Sequence, residues 1–314
     1  MGRSSILMHC GLGLAITACD VGEASLAPSR TDTAERQYEY NGFRLNGFRL
    51  NGALLSGGED EAWIELKKVA LDDQTEVVKS WLSGSNLHVE TVGGAVLSGE
   101  QLAHAVLVFG VSDGPDDGKR ISKVRINGAA PLEPGSDVWL YDLDVIDTQA
   151  SWEPLCVDGD GEPTQAILLG DVWDPETGDR ITPRPSGAVT FACRDAALGK
   201  CAEWGYAPWR SVDGVSLADY HQTCTRAVRA DYCGDGTPHT HDGVKVHFID
   251  DLGIQTADPN APYDVEAEWG PHGAVCLNPD HTRLPNPAIE CGDLPVCGDT
   301  FASGGLVQTG TPAE

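Results

Sequence analysis

The stretch HQTCTRAVRADYCGDGTPHTHDG, residues 221–243, joins the end of a helical pattern to a loop rich in Gly, Asp and His. Upstream of it, Ser216 can cap a helix, and the apolar positions that follow have the spacing of one helical face. These positions are Leu217, Tyr220, Cys224, Ala227 and Val228. The pattern predicts a helix near residues 216–231 that turns Cys224 towards the core.

The loop after this helix is compatible with a purely structural role. Cys233 can form a disulfide, Asp231 can accept hydrogen bonds from loop amides, and the Gly and Pro residues favour tight turns. In an oxidising compartment, one disulfide contributes about 2–4 kcal/mol to stability. We favour this interpretation over two others, which assign chemistry to the loop.

The first of these is a metal site. His239 and His241 alternate, so an extended segment would place both on one face, where zinc could bind them. Zinc needs three or four ligands, and the sequence has neither a Cys-x-x-Cys nor a His-Glu-x-x-His motif. Calcium is another weak candidate, at the turns DGDGEP (158–163) and DPETGD (174–179), whose residues also suit ordinary β-turns. The sequence therefore predicts no bound cofactor.

The second is catalysis, for which His221, Asp231 and His239 are weak candidates as an acid–base set. A thiol nucleophile would need a free cysteine with a base nearby, and His221 lies three residues before Cys224. One free thiol would, however, leave an odd number of cysteines for disulfide formation.

The number and position of the cysteines indicate a disulfide framework. The chain has ten cysteines, of which Cys10 and Cys19 lie near the N-terminus. An even number in an exported protein is typical of full pairing, although spacing alone does not give the connectivity. The remaining eight lie in the second half of the chain: Cys156, Cys193, Cys201, Cys224, Cys233, Cys276, Cys291 and Cys297.

Residues 1–18 have the features of a lipoprotein signal peptide. Arg3 precedes the apolar run ILMHCGLGLAITA, which is too short to span a bilayer as a mature helix. The run ends at ITAC, residues 16–19, which resembles a bacterial lipobox and predicts acylation of Cys19. Residues 19–37 are polar and small, as in a flexible linker. The sequence thus predicts an exported protein that contacts the membrane of the bacterial cell envelope through its lipid, on the periplasmic face or the cell surface.

The net charge of the chain is −27. Nucleic-acid phosphates and anionic membrane surfaces both repel a field of this sign. We therefore expect no nucleic-acid partner and interpret the charge as that of a solvated acidic surface.

Four further regions follow the linker. Residues 38–58 repeat with a period of five, as YEYNG, FRLNG, FRLNG and ALLSG, which predicts a short pentapeptide-like β element. Residues 59–152 hold β-branched and aromatic runs between Gly and Asp turns and form a predicted β-rich region. Residues 153–300 form the predicted cysteine-rich domain, and residues 301–314 a predicted disordered tail. The expected fold class is mainly β (α+β), with one notable helix.

The aromatic stretch WGYAPW, residues 204–209, is a candidate ligand platform. Stacking of Trp204, Tyr206 and Trp209 against a carbohydrate or a protein would require their faces to be exposed together. Aromatic side chains near cysteines more often pack in the core, and we favour that placement.

Four segments together resemble the ADYC domain. They are FACRDAALGKCAEWGYAPW (191–209), HQTCTRAVRADYCGDGTPHTHDG (221–243), IDDLGIQ (249–255) and EAEWGPHGAVC (266–276). The name of the domain corresponds to Ala230, Asp231, Tyr232 and Cys233 of this chain. The resemblance covers roughly residues 153–300 closely and the β-rich region more loosely. The resemblance implies a bacterial protein, since members of this family are bacterial and often lipoproteins. It implies neither an activity nor a cofactor.

The expected function is a non-catalytic binding or structural role at the membrane surface. The alternative is an envelope hydrolase or a metal-dependent enzyme that uses the His and Asp residues between positions 221 and 247. Exposure of the aromatic stretch would favour a binding module, whereas four sulfur pairs with buried histidines would favour a structural role.

Overall fold

Strands predominate in the computed structural model, which confirms the prediction of a mainly β protein. The structure describes residues 38–41, 64–111, 121–146, 151–174, 176–183, 189–285 and 287–313. The predicted signal peptide, Cys19 and the linker therefore lie outside the described residues. Of the predicted pentapeptide-like element, only residues 38–41 are described.

Nine strands precede the first disulfide-bonded cysteine. They are β1 (Tyr38–Asn41), β2 (Ile64–Ala70), β3 (Val77–Ser83), β4 (Asn86–Thr91), β5 (Val96–Ser98), β6 (Val106–Val111), β7 (Ile121–Pro131), β8 (Trp139–Ile146) and β9 (Trp152–Pro154). The remaining elements are β10 (Cys156–Val157), β11 (Pro163–Thr164), β12 (Ala166–Leu169), β13 (Thr190–Cys193), α1 (Ala197–Glu203), β14 (Ser211–Val212), β15 (Val215–Ser216), α2 (Ala218–Arg229), β16 (Val244–Asp250), β17 (Tyr263–Gly270), β18 (Gly273–Leu277) and β19 (Val307–Pro312).

A seven-stranded antiparallel sheet carries the first part of the fold. Its strand order is β13-β12-β8-β7-β6-β2, and β9 pairs with β8. A three-stranded sheet, β3-β4-β5, packs over one face. The strand β4 alternates between buried and half-buried positions, so that Leu87 and Val89 enter a core shared with Leu107 and Val124 of the larger sheet. The two sheets thus form a sandwich.

The predicted boundary between residues 152 and 153 divides this sheet and is wrong as a structural boundary. Ala166 and Ile167 of β12 pair with Tyr141 and Leu140 of β8, and β13 adds the outermost strand beyond β12. The β-rich region and the cysteine-rich region therefore share one sheet. The local sequence pattern missed this because strand pairing over such a separation leaves no periodicity of its own.

A second sheet has the order β1-β16-β19-β17-β18 and is also antiparallel. Its middle strand is β19, so the prediction of a disordered tail at residues 301–314 is wrong. Val307, Gln308 and Thr309 are buried there, and Gly310 lies where a Cβ atom would be 2.1 Å from the Tyr263 ring. The Gly, Thr and Pro of this segment resembled a tail in composition, but the close packing at position 310 requires glycine.

Two helices lie between the sheets. Leu198 and Ala202 of α1 pack with Ile167 and Ala192 of the seven-stranded sheet. The apolar face of α2 packs on the five-stranded sheet. The helix predicted near residues 216–231 is thus present at Ala218–Arg229, and Cys224 is fully buried as the periodicity indicated.

All eight predicted cysteines form disulfides. The pairs are Cys156–Cys193, Cys201–Cys224, Cys233–Cys291 and Cys276–Cys297. The first lies within the seven-stranded sheet and its connections, the second joins α1 to α2, and the other two fasten the segment before β19. This pairing leaves none of the eight thiols available as a nucleophile.

Candidate functional site

Asp231 lies at the end of α2, where the chain reverses. Ala230 has φ +50° and ends the helix in the left-handed region. The Asp231 side chain is fully buried and accepts hydrogen bonds from the amides of Asp235 and Gly236, at 3.1 and 3.0 Å. It also accepts a hydrogen bond from Arg226 Nη1 at 2.6 Å. These contacts give Asp231 the loop-holding role that the structural interpretation assigned to it.

Arg226 connects this loop to two other parts of the chain. Its guanidinium is fully buried and donates to Asp179 Oδ1 at 2.5 Å and to the carbonyl oxygen of Pro271 at 3.3 Å. It also donates to the carbonyl oxygen of Thr177. A buried charge that is paired and fully hydrogen-bonded in this way positions the surrounding backbone. The turn at residues 174–179 and the turn between β17 and β18 are therefore held against the loop.

Two glycines of the CGDG sequence are required by close backbone approach. Gly234 has φ +67°, and a Cβ atom there would lie 1.9 Å from the carbonyl oxygen of His272. Gly236 has φ +89°, and its Cβ would lie 1.8 Å from the carbonyl oxygen of Glu176. Only glycine fits at such distances and backbone angles.

Tyr232 belongs to a second buried polar cluster on the other side of the loop. Its hydroxyl donates to Glu266 Oε1 at 2.7 Å, and its ring stacks on Trp269 with 5.2 Å between centroids. Arg283 donates to both oxygens of Glu266, at 2.8 Å from Nε and 2.5 Å from Nη2. Thr309 adds a further hydrogen bond to Glu266 at 2.7 Å. This cluster ties the motif to β17 and to the central strand β19.

The electrostatics of this cluster follow from burial and pairing. Burial opposes ionisation of Glu266, but the charge of Arg283 and the hydrogen bonds around the carboxylate hold its pKa below the ordinary value. Burial and the neighbouring Glu266 charge raise the pKa of Tyr232. The sequence analysis missed Glu266 and Arg283, because charged residues far apart in sequence give no local sign of a buried pair.

His221 is fully buried on the opposite side of α2. Its Nε2 lies 3.1 Å from the carbonyl oxygen of Leu198 and donates to it, and its ring lies 5.2 Å from the Trp173 ring. Its Nδ1 has no hydrogen-bond partner within the described part of the chain. Burial lowers the pKa of His221 to about 4, against the hydrogen bond to Leu198, which favours the charged ring. The side chain is thus a neutral core histidine.

His239 and His241 do not converge on a common point. His239 lies between two carbonyl oxygens, with Nδ1 3.0 Å from Ala230 and Nε2 3.0 Å from Ala288. His241 is exposed, and its Nδ1 lies 2.9 Å from the carbonyl oxygen of Asp242. Carbonyl oxygens thus face both ring nitrogens of His239 and the Nδ1 of His241. No group of three or more His, Cys, Asp or Glu side chains is placed to hold a metal ion among the described residues.

In each of the two acidic turns considered for calcium, the first aspartate binds amides of its own turn. Asp158 Oδ1 accepts the amides of Asp160 and Glu162, each at 2.9 Å. Asp174 Oδ1 accepts the amides of Glu176 and Thr177 at 2.8 and 2.9 Å. This is the turn chemistry that Asp favours in such sequences.

The weak catalytic candidates are likewise separate. Within the described residues, no hydrogen bond joins any two of His221, Asp231 and His239. Each of these side chains is held instead by other groups: His221 by Leu198, Asp231 by Arg226 and loop amides, and His239 by Ala230 and Ala288. The geometry therefore does not assemble an acid–base set from these residues.

The aromatic stretch packs with the core, which is the placement favoured from the sequence. Because Tyr206 is fully buried and Trp204 and Trp209 are half-buried, their faces are not exposed together as the candidate ligand platform requires. Tyr206 is fully buried and donates to Asp250 Oδ2 at 2.7 Å. Trp204 meets the Phe248 ring edge-on at 5.5 Å between centroids, and Trp209 donates to Asp137 at 2.8 Å. Tyr206 and Trp204 pack with the core cluster that contains the disulfide Cys201–Cys224, and Trp209 packs against the neighbouring cluster of Leu198 and Trp173.

Comparison with known proteins agrees with the motif. The family model of the ADYC domain matches residues 99–283, which is more than half of the chain. The match begins within the predicted β-rich region and crosses the predicted boundary, as the seven-stranded sheet does. No curated protein and no solved structure matches the chain. The motif, the disulfide framework and the extent of the match lead to one conclusion: the chain belongs to the ADYC domain family.

Proposed function

We propose that the protein is a lipid-anchored component of the bacterial cell envelope with a non-catalytic binding or structural role at the membrane surface. The observation that carries the proposal is that the side chains of the motif bind partners within the fold. Asp231 and Tyr232 direct their polar atoms to partners inside the fold, and Cys233 is held in a disulfide. A motif used in this way supports a scaffold role, because it leaves little chemistry for a substrate.

The disulfides support the proposed location. Four disulfides are consistent with an exported protein, since cytosolic thiols are normally kept reduced. Neither described helix has the length and hydropathy needed to cross a membrane. The lipid at Cys19 would supply the attachment, and the linker at residues 19–37 would separate it from the fold.

Acylation of Cys19 is the first test. We expect a clickable fatty acid, fed to bacteria that express the full chain, to label the protein and to recover it in the membrane fraction. The Cys19→Ala variant should lose the label and the membrane recovery, because acylation requires this thiol. The matched control is Cys10→Ala, which removes a cysteine of the signal peptide and should retain both. Equal labelling of the Cys19→Ala variant would overturn the anchor.

The non-catalytic role has a separate test in the native host. If a strain that lacks the gene loses detergent resistance, the His239→Gln chain should restore it as well as the original chain does. His239 is half-buried and bonds only to backbone carbonyls, so glutamine is a mild replacement. The readout is colony survival on detergent, with circular dichroism to show that the variant folds. Failure of the folded variant to restore survival would favour the hydrolase.

A further inference from the structure

The four disulfides differ in their access to solvent. Cys291 is exposed and Cys233 is half-buried. Both members of the pairs Cys156–Cys193 and Cys201–Cys224 are buried, with exposed fractions of 1% or less. The pair Cys276–Cys297 is intermediate, because Cys276 is buried and Cys297 is half-buried. Exposure is a main determinant of thiol–disulfide exchange, so Cys233–Cys291 is the pair most open to attack.

This disulfide fastens a segment that has no helix or strand of its own. We call residues 287–296 the strap. One end of the strap is fixed at Cys297, whose sulfur is bonded to Cys276 and whose amide donates to Asn278 Oδ1 at 3.1 Å.

Along its length the strap has few other attachments. The carbonyl oxygen of Ala288 faces His239 Nε2 at 3.0 Å, and that of Pro295 accepts the amide of Leu277 at 2.9 Å. Ile289 and Leu294 are half-buried against the core cluster of α2 and the five-stranded sheet. Leu277 and Tyr232, which belong to that cluster, are buried while the disulfide Cys233–Cys291 is formed.

The other side of the disulfide is held independently. Asp231 binds the loop amides, Arg229 Nη2 donates to the carbonyl oxygen of Gly236, and Tyr232 donates to Glu266. Breaking the disulfide would therefore leave the motif loop in place and release the middle of the strap.

We propose that Cys233–Cys291 is a redox-sensitive latch that fastens the strap over the motif loop, and that a dithiol reductant opens it. A thiolate of the dithiol attacks Cys291 Sγ, the bond to Cys233 Sγ breaks, and Cys233 leaves with the electron pair and takes up a proton. The second thiol of the reductant then displaces Cys291 from the mixed disulfide. In total, two electrons and two protons pass from the dithiol to the protein, and the dithiol becomes a disulfide.

Stepwise reduction of the folded chain tests the latch. The purified protein is exposed to increasing dithiothreitol without denaturant, its free thiols are alkylated, and the cysteines are identified by peptide mass spectrometry. We expect alkylation of Cys233 and Cys291 at concentrations that leave the other six cysteines oxidised. Earlier reduction of any other pair, or reduction of all four pairs in one step, would overturn the proposal.

Hydrogen exchange tests whether reduction of the latch releases the strap. In the partly reduced protein, the amides of Ile289 and Leu277, which donate to the strap carbonyls of Pro287 and Pro295, should exchange faster, whereas those of β16 and β17 should keep their protection. The Cys233→Ser/Cys291→Ser variant should show the same change without reductant. The matched control, Cys276→Ser/Cys297→Ser, should retain the resistance of the latch to alkylation until dithiol is added. Unchanged exchange of the Ile289 and Leu277 amides after selective reduction would contradict release of the strap, and this readout does not depend on either variant folding.

Discussion

Replacing Glu266 by glutamine is expected to destabilise the folded chain by about 3–5 kcal/mol, because it leaves the buried charge of Arg283 without a counter-charge. Both side chains have an exposed fraction of 0%, and the Arg283 guanidinium donates to both oxygens of the carboxylate. Neutral glutamine keeps the size of the side chain, but its single amide oxygen can accept only some of the hydrogen bonds that the Glu266 carboxylate accepts. The loss should exceed that from any single exposed charge.

The measurement is urea-induced unfolding with the disulfides intact, followed by tryptophan fluorescence. Asp219→Asn is the matched control, since it breaks an ion pair with Arg180 in which the Asp219 side chain is 65% exposed. Exposed pairs contribute about 0–1 kcal/mol, so the control should change little. A double variant with methionine at both Glu266 and Arg283 should recover part of the loss, because no charge is then left buried. Equal free energies of unfolding for the Glu266→Gln and Asp219→Asn variants would show that the buried pair contributes no more to stability than the exposed pair.

Acidification from pH 6.5 to 4 is expected to remove about 3 kcal/mol of stability through His221 alone. The folded protein lowers the pKa of this histidine from 6.5 to about 4, mainly through burial. Below pH 6.5 the unfolded chain takes up a proton that the folded chain excludes, so unfolding becomes more favourable. The contribution is fully present above pH 6.5 and is lost progressively until the folded state also protonates near pH 4.

Unfolding free energies measured across this range isolate the histidine when the chain is compared with the His221→Gln variant. Glutamine does not titrate and can still donate to the carbonyl oxygen of Leu198. The difference between the two proteins should vary with pH between 6.5 and 4 and become constant above pH 6.5. Parallel curves across the whole range would mean that His221 can take up a proton without unfolding.

Local patterns in the sequence predicted much of the fold. The spacing of Leu217, Tyr220 and Cys224 placed the longer helix within two residues of each observed end. The even cysteine number predicted full pairing, which the four disulfides confirm. The helix prediction succeeds because the apolar spacing is local in the sequence. The cysteine prediction succeeds because it depends only on a count. The helix α1 was missed, since its seven residues are too few for a period to show.

The site was harder to predict because its contacts join distant parts of the chain. Asp231 was recognised as a loop-holding residue from its neighbours in sequence. Its partner Arg226 is buried and also binds Asp179, a contact between distant parts of the chain that the helical pattern does not indicate. The pair Glu266–Arg283 likewise depends on packing between separate elements, which charge content alone does not reveal.

The position of β19 has a consequence for biosynthesis. This strand lies between β16 and β17, although residues 307–312 follow both of them in the chain. Until these residues have been synthesised, the facing edges of β16 and β17 lack their partner. Unpaired strand edges favour aggregation and proteolysis. A chain that is incompletely synthesised or clipped before residue 307 should therefore be more prone to aggregation and proteolysis than the full chain.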